Sequence, residues 1–242
     1  MKSGTWKYRC VIMVKLRYWA GNIHNEKVHE IGIIGLGSHL ENHGPALPID
    51  TDAKIASYIA LQVALESGAK FLGVVYPAHE LKEINHGIHN SLEEVSNEII
   101  RMLNSAREFL NIKKVIIVNA HGGNLPIFQC LDKIEDETQL DVLLNNKIIE
   151  NEGAHGGSGE LSMGKYLGII NEDEIENQTN LKLYGEVGLF EFDEARKNDK
   201  NIDDGARDLN ENGVYVDEVY GKQLLNLAVN SCLFDIEKLL DY

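Results

Sequence analysis

Runs of apolar residues rich in valine and isoleucine alternate along this chain with longer segments of helical periodicity. The short runs predict four strands, at 31–36, 71–76, 113–120 and 140–146. The longer segments predict helices at 53–68, 91–110, 125–134 and 217–240, and a shorter one that begins near Glu160. Strands that are apolar at nearly every position are buried on both faces, and helices between them favour parallel connections. The pattern predicts an α/β fold with a mostly parallel central sheet flanked by helices.

Length and charge narrow the classes of protein. A chain of 242 residues with 43% hydrophobic residues can bury one sizeable core, so we expect residues 1–242 to form a single domain. Residues 1–12 become a dispensable extension if translation begins at Met13. The formal net charge of -15 repels nucleic acid and anionic membranes, so neither is an expected partner.

The cysteines bear on the cellular compartment. Cys10, Cys130 and Cys232 are far apart, which argues against a disulfide framework and against a thiolate zinc site. The apolar residues of the first nineteen are interrupted by Lys7, Arg9, Lys15 and Arg17, which disfavours a signal peptide or a membrane span. A cytoplasmic protein is expected.

Polar, glycine-rich loops follow three of the predicted strands. GSHLENHGPALPIDTD at 37–52 follows the first strand, HGGN at 121–124 follows the third, and HGGSGE at 155–160 lies shortly beyond the fourth. Ligands of open α/β sheets bind at the carboxyl ends of the strands, which share one edge. The three loops are therefore expected to meet.

These loops carry side chains that bind metal ions. Glu41 and His43 are two residues apart, so an extended backbone places them on one face. Taken singly, Asp52 is better explained as a helix N-cap, whereas Glu160 is equally well explained as a first-turn carboxylate favoured by the helix dipole. A lone histidine is more often an ordinary polar residue. The segment HGIH at 86–89 could line the site, but we expect His86 and His89 to be solvated.

Taken together, the donors form a mixed nitrogen and oxygen set: Glu41, His43, Asp52, His121, His155 and Glu160. Such a set suits Zn(II), Mn(II) or Fe(II), and an aspartate that uses both oxygens can bridge two ions. The implied reaction is hydrolysis. The chain has no dinucleotide-binding G-x-G-x-x-G after the first strand, no Walker loop and no G-x-S-x-G elbow.

The ordered motifs ENHGP at 41–45, LP at 47–48, DTD at 50–52, NAHGGN at 119–124, HGG at 155–157 and ELS at 160–162 resemble the creatininase family of metal-dependent amidohydrolases. The resemblance runs in order from about residue 30 to 165, with a weaker similarity near Gly213 and Gly221. It implies a three-layer α/β fold, two divalent ions at the strand ends and assembly into a homo-oligomer.

The resemblance also implies roles for the residues. Glu41 and His121 would bind one ion, His43 and Glu160 the other, and Asp52 would bridge them. His155 would donate a proton or hold the carbonyl, and Glu160 would serve as a ligand or in proton transfer. Creatinine-cleaving members carry a glutamate where this chain has Gly123, which argues against creatinine as the substrate.

Within the family, residues 37–61 look most like archaeal members that hydrolyse a formamide, on the phosphorylated pyrimidine 2-amino-5-formylamino-6-ribosylaminopyrimidin-4(3H)-one 5'-phosphate. That reaction leads towards riboflavin and the deazaflavin cofactor, and the resemblance favours Fe(II), with Mn(II) or Zn(II) as alternatives. Two other hypotheses stay open: hydrolysis of another amide, such as creatinine or a small peptide, and a module that binds metal or nucleotide without turnover.

Overall fold

The computed structural model describes residues 26–241 and contains one four-stranded sheet in that range. The strands are β1 (Ile31–Leu36), β2 (Lys70–Val75), β3 (Lys114–Asn119) and β4 (Asp141–Asn145). Their order is β2-β1-β3-β4, and every neighbouring pair is parallel. The four predicted strands are confirmed within one residue at each end. All strands therefore direct their carboxyl ends to one edge.

Eight α-helices accompany the sheet within the described residues. They are α1 (Thr51–Ser67), α2 (Leu92–Leu110), α3 (Leu131–Thr138), α4 (Ser158–Leu167), α5 (Ile175–Gln178), α6 (Asp193–Asn198), α7 (Lys200–Asn212) and α8 (Glu218–Asp241). Short 3-10 helices span Glu26–Glu30, Gly122–Cys130, Glu172–Glu174 and Val187–Leu189. Helix α2 begins with the predicted capping box between Ser91 and Glu94.

The helix predicted at 125–134 is only partly correct. Residues 122–130 form a 3-10 helix, and the α-helix begins at Leu131. The segment opens with two glycines and contains Pro126, which has no N–H group to donate to a preceding turn. The segment is helical, but this local chemistry delays the α-helix until Leu131.

The core has two layers, one on each face of the sheet. Alternate residues of β1 divide between them: Ile31 and Ile33 pack in the cluster with α1 and α8, while Ile34 and Leu36 pack in the cluster with α2. This arrangement of helix, sheet and helix confirms the three-layer α/β prediction. It also explains why the strands read as continuous apolar runs.

Helix α8 packs closely against α4. A Cβ atom at Gly221 would lie 2.0 Å from the carbonyl oxygen of Ser162, so only glycine permits this approach. Because α4 also carries Glu160, the contact helps to set the position of that carboxylate.

Two expectations concern the N-terminal extension and the cysteines. The extension at 1–12 and Cys10 lie outside the described residues. Cys130 and Cys232 are free thiols. No helix between residues 26 and 241 combines the length and the apolar character that crossing a bilayer requires.

Candidate metal centre

The loop after β1 brings Glu41 and His43 to the carboxyl edge of the sheet. The Nδ1–H group of His43 donates to the carbonyl of Glu41 at 3.0 Å, which leaves Nε2 as the nitrogen that faces the centre. Gly44 follows with a φ of 82°, a left-handed conformation that turns the chain away. Both Glu41 and His43 are buried.

Asp52 lies between two histidines at the start of α1. Its Oδ1 is 2.8 Å from Nε2 of His43, and its Oδ2 is 3.0 Å from Nδ1 of His121. The N-cap residue of α1 is Asp50, so Asp52 does not serve as the cap. Each oxygen of one buried carboxylate therefore faces a different imidazole, as a bridging ligand requires.

His121 follows β3 and is oriented from both sides. Its Nε2–H group donates to the backbone carbonyl of His79 at 2.9 Å. Its Nδ1 atom lies 2.9 Å from Oε2 of Glu41 as well as 3.0 Å from Asp52. Metal-binding histidines commonly use one nitrogen for the ion and donate the other N–H to a fixed acceptor.

The loop at 155–157 and helix α4 complete the group. Oε2 of Glu160 accepts a hydrogen bond from the backbone N–H of Gly156 at 3.1 Å and lies 3.6 Å from Nε2 of His43. Nε2–H of His155 donates to the carbonyl of Asn42 at 2.7 Å. Nδ1 of His155 faces the centre, 3.6 Å from Oε1 of Glu41.

The pKa values of Glu160 and Glu41 shift in opposite directions. Burial raises the pKa of Glu160 to about 7, with repulsion from Asp52 and Glu41 adding to it. Burial acts in the same direction on Glu41, but the neighbouring His121 and His155 outweigh it and hold the pKa of Glu41 well below its usual value. Of the two carboxyl groups, Glu41 therefore favours the ionised form more strongly.

The pKa values of His43 and His155 also shift in opposite directions. Burial alone would lower the pKa of His43, but Asp52 and Glu160 raise it well above its usual value. Burial, reinforced by His43, lowers the pKa of His155 well below its usual value. His155 is therefore a neutral imidazole at physiological pH, with a lone pair on Nδ1.

Two oxygen atoms show that the residues present fit a metal centre. Oε2 of Glu41 and Oδ2 of Asp52 are buried and have no hydrogen-bond partner. Such orphan acceptors are costly in a protein interior unless a cation or a donor satisfies them. The ligand atoms of Glu41, His43 and Asp52 also lie within 4.8 Å of one another, close enough to share an ion.

The expectation for the HGIH segment was wrong. His86 is buried, and its Nε2 lies 2.5 Å from Oε1 of Glu41. His89 is half-buried, and its ring stacks parallel to that of His121 at a centroid distance of 5.3 Å. Sequence spacing gave no signal for this because the loop that carries both residues follows β2, and only the strand order places β2 beside β1.

Two further carboxylates lie near the centre and were not predicted. Glu80 is buried to 6% side-chain exposure, with Oε2 at 3.6 Å from Nε2 of His121. Glu152 is buried as well, and its burial together with the charge of Glu160 raises its pKa well above the usual value. An isolated glutamate in a polar loop carries no pattern that would have identified either residue.

Gln178 of α5 joins two of the predicted loops. Its Nε2 group donates to the carbonyls of His43 at 2.6 Å and Gly156 at 2.7 Å, and its Oε1 accepts from the N–H of Ala46 at 3.0 Å. The residue is fully buried. Gln178 therefore fixes the loop of His43 against the loop of His155, a role that required knowledge of the fold.

Comparison with known proteins gives the family. The model of the family described as "Creatininase: Creatinine amidohydrolase" matches residues 22–233. A protein from Methanobrevibacter ruminantium is 69% identical over 229 residues, covering 95% of this chain and 98% of its own. A protein from Methanothermobacter thermautotrophicus is 48% identical over 230 residues, covering 95% and 97%. Both are named 2-amino-5-formylamino-6-ribosylaminopyrimidin-4(3H)-one 5'-monophosphate deformylase.

Solved structures share the fold. A crystal structure of creatinine amidohydrolase (creatininase) has a TM-score of 0.55 at 12% identity, covering 86% of this chain and 89% of its own. A putative creatinine amidohydrolase from Bacteroides fragilis has a TM-score of 0.54 at 15% identity, covering 88% and 90%. The resemblance expected from the loop motifs is confirmed, and the chain belongs to the creatininase family.

Proposed function

We propose that this protein is a metal-dependent amidohydrolase that removes the formyl group from 2-amino-5-formylamino-6-ribosylaminopyrimidin-4(3H)-one 5'-monophosphate. The assignment of the substrate rests on the 69% identity, over 95% of the chain, to a relative named for that reaction. Formate and a diaminopyrimidine phosphate would be the products, on the route towards riboflavin and the deazaflavin cofactor.

We infer that the centre holds two divalent ions. Five buried carboxylates converge on it, and two divalent cations would allow them to be ionised together in the protein interior. They are Glu41, Asp52, Glu80, Glu152 and Glu160. Glu41 and His121 would hold one ion, His43 and Glu160 the other, and Asp52 would bridge them through its two oxygens.

The identity of the ions follows from ligand type only in part. Imidazole and carboxylate ligands accept Fe(II), Mn(II) and Zn(II), and cellular supply selects among them. We propose Fe(II) as the native ion, with Mn(II) and Zn(II) as functional substitutes. Divalent ions bound in this way polarise an amide carbonyl and make water more acidic.

We propose that His155 transfers the proton that the reaction must move. Hydrolysis adds water to the formyl carbon and breaks its bond to nitrogen, so one proton must pass from the water to the departing amine. Nδ1 of His155 is free to accept it because Nε2–H is committed to the carbonyl of Asn42. Glu160, with a pKa raised by burial to about 7, is the second group suited to proton transfer if it is not bound to an ion.

We also propose that the protein is a cytoplasmic homo-oligomer. Large apolar side chains, including Ile88, Phe128 and Leu183, are exposed to between 62% and 74%, which supports burial against another subunit. Sedimentation velocity at several concentrations tests this part of the proposal separately.

A substrate panel tests the assigned reaction. Protein loaded with Mn(II) is assayed with the formylaminopyrimidine phosphate, with creatinine and with a small peptide amide. The proposal predicts a kcat/KM for the formylaminopyrimidine at least a hundredfold above the others, roughly 3 kcal/mol of discrimination. Faster turnover of creatinine or the peptide amide would assign the site to another member activity, and binding without turnover would favour a non-catalytic module.

A further inference from the structure

The loop between β2 and α2 pairs with the loop that carries Glu41. Glu41 forms an isolated antiparallel bridge with Gly87, the backbone N–H of Asn42 donates to the carbonyl of His86 at 3.0 Å, and the N–H of Ile88 donates to Leu40 at 2.8 Å. A Cβ atom at Gly87 would lie 2.4 Å from the carbonyl oxygen of Leu40. This pairing fixes His86 beside Glu41.

Of the two carboxylate oxygens of Glu41, the side chain of His86 contacts Oε1. Because an ionised carboxylate accepts hydrogen bonds, the 2.5 Å contact requires Nε2–H of His86 to donate to Oε1. Oε2 is left without a hydrogen bond and faces Nδ1 of His121 at 2.9 Å. The imidazole is held by ring contacts to His155 at 4.7 Å and Phe192 at 5.3 Å.

We propose that His86 is a positioning residue of the metal centre, which holds Oε1 of Glu41 so that Oε2 is presented to the ion shared with His121 and Asp52. The inference rests on the metal centre of the proposed function. Outer partners of metal ligands typically change metal affinity by about 10- to 100-fold when they are removed.

The effect is confined to one of the two ion positions. The proposed function assigns Glu41 to the ion of His121, whereas the second position takes its side chains from His43, Asp52 and Glu160. Loss of the His86 donor should therefore weaken one ion and leave the other bound. A general loss of structure would weaken both.

Three variants separate the hydrogen bond from the shape of the side chain. His86→Phe keeps a ring against His155 and Phe192 but removes the donor. His86→Gln places an amide N–H close to the position of Nε2 and should restore the bond to Glu41. Lys82→Met is the matched control, since its exposed side chain lies on the same loop, 3.6 Å from Glu83.

Mn(II) binding and electron paramagnetic resonance provide readouts that do not depend on activity. Wild type and Lys82→Met should bind two Mn(II) per chain with the spectrum of a coupled pair. His86→Phe should bind one ion unchanged and the other about 10- to 100-fold more weakly, giving the six-line spectrum of isolated Mn(II) at limiting metal. His86→Gln should recover at least half of the lost affinity on a logarithmic scale.

The outcomes distinguish this inference from the proposed function. A His86→Phe variant that binds both ions as wild type does would overturn the positioning role. So would a His86→Gln variant as impaired as His86→Phe, because that result would make the imidazole itself a ligand. Wild-type protein that binds no Mn(II) would instead refute the metal centre.

Discussion

Asp52→Asn is the substitution that should separate the metal centre from the fold. The two side-chain oxygens of Asp52 lie within 3.0 Å of two different imidazoles, His43 and His121, which the proposed function assigns to different ions. Asparagine has nearly the same shape but offers one oxygen and one NH₂ group, and it carries no charge. Asparagine can therefore bind at one ion position at most, and the loss of the negative charge weakens the attraction of both ions to the centre.

The magnitude follows from linkage between binding and unfolding. An ion present at about 100 times its dissociation constant stabilises the folded state by about 2.7 kcal/mol, so two ions contribute about 5 kcal/mol. For chains of this size each kcal/mol raises the melting temperature by roughly 2–4 °C. Wild-type protein should therefore melt about 10–20 °C higher with metal than with chelator, and Asp52→Asn should lose more than half of that difference.

Differential scanning calorimetry with and without Mn(II) measures the metal-dependent difference in melting temperature for wild type and for Asp52→Asn. Each variant is compared with its own chelated form, so a change in the intrinsic stability of the fold does not enter. Asp50→Asn is the control, because Asp50 lies two residues away and pairs with Lys54 at the surface. If Asp52→Asn kept the full metal-dependent difference, the bridging role would be refuted.

Three further substitutions test separate parts of the account. His155→Ala should keep both ions and lose about a hundredfold or more in kcat, measured by formate release. Gln178→Leu should lower the free energy of unfolding in urea by about 3 kcal/mol or more, because it leaves the carbonyls of His43 and Gly156 buried without a donor. Gly221→Ala should cost about 3 kcal/mol in the same assay, since its methyl group would overlap the carbonyl of Ser162.

Each of these has a result that would count against it. Loss of an ion from His155→Ala would make His155 a ligand instead of a proton-transfer group. If Gln178→Leu changed the free energy of unfolding by less than about 1 kcal/mol, water or another donor would be bonding to the carbonyls of His43 and Gly156. An unchanged unfolding midpoint for Gly221→Ala would show that α8 and α4 can separate at little cost.

The fold and the meeting of the first candidate ligands could be predicted because their signals are local. The run IGIIGL at 31–36 is apolar at every position except glycine, which is typical of a strand buried on both faces. The residues Glu41, His43 and Asp52 follow it within sixteen positions and meet His121 because parallel strands end at one edge. Periodicity and this topological rule were sufficient.

The remaining residues of the centre depend on tertiary contacts that spacing does not encode. His86 reaches Glu41 because the loop after β2 pairs with it through Gly87, and histidine in a polar loop is usually solvated. Gln178 lies on a four-residue helix in a region without strong periodicity, yet its three hydrogen bonds join two loops. Such contacts between distant segments become visible only when the backbone path is known.

Formate release by anaerobically purified protein tests the central claim most directly. The formylaminopyrimidine phosphate is supplied first to chelated protein, and then to the same protein after Fe(II), Mn(II) or Zn(II) is restored. The account predicts no formate without metal and full stoichiometric release with it, strongly reduced in Asp52→Asn. Release that persists in chelated, metal-free protein, or none from protein shown to hold two ions per chain, would contradict it.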